Sequence, residues 1–117
     1  MCDDGIEWAA LERLHMLGGE AFVAEMLDLA LGNIAEQLVA GRAAASRNDP
    51  KGFVSALHSI AGSAGNLGAV ELEGLARQGL ARGDPTPGTN LLDDLARLEA
   101  AFARARPLLL EAMRDRK

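Results

Sequence analysis

The residues best suited to chemistry lie in the stretch Ala56-Leu57-His58-Ser59-Ile60-Ala61-Gly62-Ser63-Ala64-Gly65-Asn66-Leu67-Gly68. A neutral imidazole keeps a free lone pair on one ring nitrogen and can act as a nucleophile at physiological pH. His58 stands among small residues, with Ala61 and Gly62 one turn on and Gly65 two turns on. A glycine inside a helix costs about 0.5–1 kcal/mol relative to alanine. Two of them beside one histidine suggest that something must come close to the ring. The plainer alternative is a satisfied or solvent-facing histidine with no reaction to perform.

The elements must hold that ring at an edge. Phe53, Leu57, Ile60, Ala64 and Leu67 recur at the spacing of one buried helix face, and His58 falls at the flank of that face. Asp49 can cap this helix, Pro50 fits its first turn, and Gly68 suits a left-handed residue at its end; the spacing predicts a helix over about 50–66. Upstream, Asp4 and Glu7 read as a capping box for a short helix carrying Trp8, Leu11, Leu14 and Leu17, which Gly18-Gly19 stops. A second helix over about 20–47 has Phe22, Val23, Met26, Leu27, Ala30, Ile34 and Leu38 inside. Its outer side is expected to carry Glu20, Glu25, Asp28, Asn33, Glu36 and Gln37.

Beyond Gly68 a fourth helix places Leu72, Leu75, Ala76 and Leu80 inside, and 82–89 is a loop rich in glycine and proline. Asn90 can cap the last helix, whose Leu91, Leu95, Leu98, Phe102, Ala105, Leu109 and Ala112 form a regular seam. Pro107 within it is expected to bend the helix. The expected fold is all-α: an up-down-up-down four-helix bundle with a short extra N-terminal helix, one domain over 1–117.

Composition narrows the function classes. Hydrophobic residues make up 49 % but aromatics only 3 %, so alanine and leucine must do most of the packing. A net charge of −5 argues against a nucleic-acid partner. No apolar run approaches a membrane span and no signal peptide opens the chain, so a cytoplasmic protein is expected. Cys2 is the sole cysteine, so no internal disulfide is possible. His15 reads as a surface or boundary residue, and a His15–His58 metal site, with two imidazoles and no sulfur beyond Cys2, is set aside. The chain shows no paired acid and base, phosphate loop or metal cluster of its own.

The stretch around His58 resembles the phosphohistidine motif of histidine-containing phosphotransfer (HPt) domains, His-x-x-Lys-Gly-Ser/Ala followed by small residues and Leu-Gly. His58, Gly62, Ser63, Ala64, Leu67 and Gly68 match; the family lysine is replaced by Ala61. The resemblance implies a phosphocarrier rather than an enzyme. It accepts a phosphoryl group on His58 and returns it to receiver-domain aspartates in a two-component phosphorelay. A bundle that binds its partner without transfer is the alternative. The implied partners are receiver domains of response regulators or hybrid histidine kinases, with Mg²⁺ held by the receiver and no cofactor in a monomeric carrier. Ser59, Ser63, Gly62 and Gly65 are the expected supporting residues, Gly62 giving access and Gly65 equally suited to packing. Val54, Ala61, Leu14, Phe22 and Met26 are the expected docking residues. Relatives often place a polar group of the next helix opposite the histidine; here motif counting puts the apolar Leu80 there. Lys51, Arg77, Gln78 and Arg82 are the candidate substitutes for the missing charge.

Overall fold

Short local signals set both ends of the helix that carries His58 and the start of the last helix. In a computed structural model, which describes residues 4–82 and 90–115, helix α2 spans Pro50–Leu67. Asp49 Oδ1 accepts the Gly52 backbone N–H at 3.0 Å, and Pro50 sits in the first turn, where a missing N–H costs nothing. That backbone donor, with help from Arg47, holds the Asp49 carboxyl below its ordinary range against an opposing desolvation. At the other end Gly68 takes the left-handed conformation, φ 75°. Its N–H reaches Gly65 O at 3.2 Å, while Ala69 N–H reaches Ala64 O at 2.9 Å. The last helix, α4 (Leu91–Asp115), is capped by Asn90, whose Oδ1 accepts the N–H groups of Leu92 and Asp93. It runs on through Pro107.

Helix α1 spans Ala9–Ser46 and α3 spans Val70–Ala81. The expected stop at Gly18-Gly19 is a break inside α1. Gly19 adopts φ 80° and ψ −171°, and helical backbone resumes on both sides of it. A left-handed φ is cheap only for glycine, so this position localises the change of direction. Residues 83–89, expected to form a loop, lie outside the described residues, as does Cys2.

The Asp4–Glu7 capping box is not formed. Asp4 instead accepts from Ile6 N at 3.1 Å and from the Trp8 indole N–H at 2.9 Å. Glu7 N–H donates to Gly68 O at 2.7 Å, and Glu71 N–H donates to Gly5 O at 3.1 Å. The start of the chain is therefore strapped to the α2–α3 corner, and α1 begins later, at Ala9, without a side-chain cap. Tertiary hydrogen bonds took the backbone groups that a capping box would have used.

α1 packs on α2, α2 on α3, α3 on α4 and α4 back on α1, which closes an up-down-up-down bundle. Val23, Leu27, Ile34 and Leu38 meet Phe53, Leu57, Ile60 and Leu67 in the core, with Leu72, Leu95, Leu98 and Leu109 completing it. Alanines 44, 56, 61, 64, 76 and 101 are buried as well, so the helices approach closely. Among the described residues no polar or charged residue is buried, and the ion pairs lie at the surface. Arg42–Glu99 joins α1 to α4, and Arg104–Glu71 joins α4 to α3 at 3.0 Å. Exposed pairs of this kind contribute little each, about 0–1 kcal/mol.

Candidate functional site

His58 is exposed near the middle of α2, and its ring makes no hydrogen bond to another described residue. Its position follows from the helix period. Phe53, Leu57, Ile60 and Ala64 point into the core, and a residue 100° from Leu57 emerges at the rim. One turn on, Gly62 is also exposed, and a Cβ built there meets nothing within 4 Å. Among the described residues, no steric demand of the bundle requires glycine at this point.

The other small residues divide differently. A Cβ on Gly65 would stand 2.9 Å from Glu73 Oε2, the end of a side chain on α3, so Gly65 lies against α3. Gly79 does the same from the other side, since its Cβ would stand 2.8 Å from Leu57 Cδ1. These two approaches follow the antiparallel course of α2 and α3, which brings the His58 turn about level with Leu80. Ala61, expected at the docking rim, is only 2 % exposed and belongs to the core. This corrects the expectation: three residues past His58, the helix has already turned its side chains under α3.

The charges near the site are spoken for in part. Arg77 is held by Glu73, with Nε 2.9 Å and a terminal nitrogen 2.8 Å from Oε2. Arg82 pairs with Asp94 at 2.6 Å on the α3–α4 side. Gln78 is exposed and lines a groove there with Phe53, Leu57 and Arg97. Lys51 is exposed two turns before His58 on the same flank and forms no ion pair with a described residue. Leu80 is half-buried and packs against the core, so it offers no donor.

Ser59 and Ser63 are brought together by a residue placed on the wrong face by the sequence reading. Asn33 of α1 is half-buried, and its Nδ2 donates to Ser59 Oγ at 2.9 Å and to Ser63 Oγ at 2.8 Å. Among the expected docking residues, Val54, Phe22 and Met26 are half-buried, and Leu14 packs partly buried against the core. Leu29, one turn before Asn33, was not anticipated and is 62 % exposed, while Met16 and Leu17 project fully from the first part of α1. His15 is half-buried with its Nδ1 enclosed and without a hydrogen-bond partner. Among the described residues, no three His, Cys, Asp or Glu side chains gather in a way that could hold a metal ion, and no helix is long and apolar enough to cross a membrane.

The helical bundle thus presents the His58 imidazole at its surface, one turn from the exposed Gly62. The sequence profile of the Hpt domain matches residues 20–115, and the chain belongs to that family. Histidine phosphotransfer in phosphorelays goes with membership: the protein is a phosphocarrier rather than a catalyst, and receiver domains are its partners. The fold is similar to the crystal structure of histidine-containing phosphotransfer protein B from Pseudomonas aeruginosa PAO1. The TM-score is 0.79 at 22 % identity, over 97 % of this chain and 98 % of that one. A search of the curated proteins finds no match.

Proposed function

We propose that His58 is the residue that carries the phosphoryl group. The observation that supports this most directly is the exposed ring beside Gly62, where added side-chain bulk would meet only solvent or a partner. The far ring nitrogen, Nε2, attacks the phosphorus of an aspartyl phosphate in line. The new N–P bond forms as the acyl P–O bond breaks, and the aspartate leaves as a carboxylate. The proton on the near nitrogen, Nδ1, stays with the ring. The reverse step returns the group to an aspartate. Phosphoryl transfer asks mainly for positioning and charge neutralisation, and Mg²⁺ bound by the receiver supplies the latter. This chain supplies a fixed nucleophile and a docking surface that we assign to Val54, Phe22 and Met26.

In this reading the carrier works as a monomer. It serves equally well free-standing or as a module of a hybrid sensor histidine kinase, in the cytoplasm, and its net charge of −5 suits a protein partner rather than a nucleic acid. Incubation with a phosphorylated receiver tests the assignment. The wild-type chain is expected to acquire an acid-labile, base-stable phosphate, and His58→Gln is expected to acquire none. Label retained in His58→Gln places the group elsewhere.

A further inference from the structure

Asn33 spends both Nδ2 hydrogens on α2, one on Ser59 and one on Ser63. The two serines lie four residues apart, each directly after a residue of the exposed site: Ser59 after His58, Ser63 after Gly62. The clamp therefore grips the one turn of α2 that a partner has to meet. Elsewhere the α1–α2 seam is apolar, with Ile34 and Leu38 among the α1 residues and Phe53 and Ile60 among those of α2, and it includes points of close approach. A Cβ on Gly41 would stand 3.5 Å from the Ala56 Cβ, and a Cβ on Gly52 would stand 3.2 Å from the Ala44 Cβ. Apolar burial is non-directional, whereas a hydrogen bond weakens steeply away from its preferred angle. The directional contact on this seam thus falls at the site.

We propose that Asn33 is a positioning residue for phosphotransfer: by bracketing Ser59 and Ser63 it fixes the rotation of α2 on α1, and so the direction in which His58 faces a docked receiver. This rests on His58 being the phosphorylated residue. Asn33 does not touch the reacting atoms. Its effect belongs to the orientation of the imidazole relative to a receiver already bound, and not to the reactivity of the ring itself.

The test compares two phosphoryl donors. In Asn33→Leu, which keeps the side chain's approximate size and removes its donors, transfer from a phosphorylated receiver at saturating concentration is expected to fall by about 3- to 30-fold, since misplacement by 1 Å can cost as much as ~100-fold. Labelling of His58 by the small donor phosphoramidate, which needs no docked orientation, is expected to stay at the wild-type rate. Ser59→Ala and Ser63→Ala each remove one arm of the clamp without altering α1, and they are expected to show the same split to a smaller degree. They carry the test if Asn33→Leu does not fold. Wild-type transfer in the serine variants, or an equal loss with both donors, overturns the proposal. A wild-type chain that takes no label on His58 from either donor instead overturns the assignment of the phosphorylated residue, so the two failures are distinct.

Discussion

Gly62 separates stability from function in a way that can be measured. A Cβ at this exposed helical position has no neighbour within 4 Å, so Gly62→Ala removes only the conformational cost of glycine. That cost is about 0.5–1 kcal/mol in a helix interior. For a chain of 117 residues, with unfolding entropy near 2.1 cal/mol/K per residue, this corresponds to a rise in Tm of roughly 2–4 °C. Gly62→Gln, another good helix former on an open face, is expected to stabilise by a similar amount. Function should move the other way. In-line attack needs the reacting atoms about 3–3.5 Å apart, and a side chain one turn from His58 stands in the path of the receiver. Transfer from a phosphorylated receiver is expected to fall several-fold in Gly62→Ala and by at least about 10-fold in Gly62→Gln. The assays are thermal unfolding and time-resolved phosphate transfer on the same preparations. A lower Tm in Gly62→Ala, or transfer at wild-type speed in Gly62→Gln, refutes the reasoning, because either result makes Gly62 something other than a clearance residue.

Gly68 should behave in the opposite sense. It has φ 75°, and a Cβ there collides with the Glu7 carbonyl oxygen, so Gly68→Ala is expected to destabilise by about 2 kcal/mol or more in urea unfolding. At Ala61, lysine has to lead its stem out from a site that is 2 % exposed before its ammonium can reach the phosphoryl group. Ala61→Lys is therefore expected to cost about 1–3 kcal/mol of stability by overpacking while lengthening the lifetime of phosphorylated His58 against hydrolysis. An unchanged lifetime shows that the missing charge does not limit the phospho-form.

What could be read from the sequence was what is decided locally. Asp49-Pro50, Gly68 and Asn90 each act within four residues of themselves, and the structure uses all three as expected. The inner stripe of α2 and the rim position of His58 follow from helical period alone. The errors come from contacts between distant parts of the chain. Asn33 is 26 and 30 residues from its serine partners, and nothing in its local pattern marks it as inward-facing. A polar residue beside the apolar stripe, with two serines four apart on a neighbouring helix, was the available signal, but helix pairing had to be known to use it. The Asp4–Glu7 capping box failed for a related reason, since Glu7 N–H is used by Gly68 O. Ala61 was misjudged because a motif position was taken for a surface position; the helix angle places it under α3.

The strap at the start of the chain has a practical consequence. Its two backbone bonds anchor Gly5 and Glu7 beside Gly68 and Glu71. Gly68 follows His58 by ten residues, about 15 Å of axial rise along α2. A fluorophore or a surface tether attached at the exposed Glu7 thus sits at the far corner of the bundle. Molecules held through that corner would leave the exposed turn of α2 around His58 open to the solution.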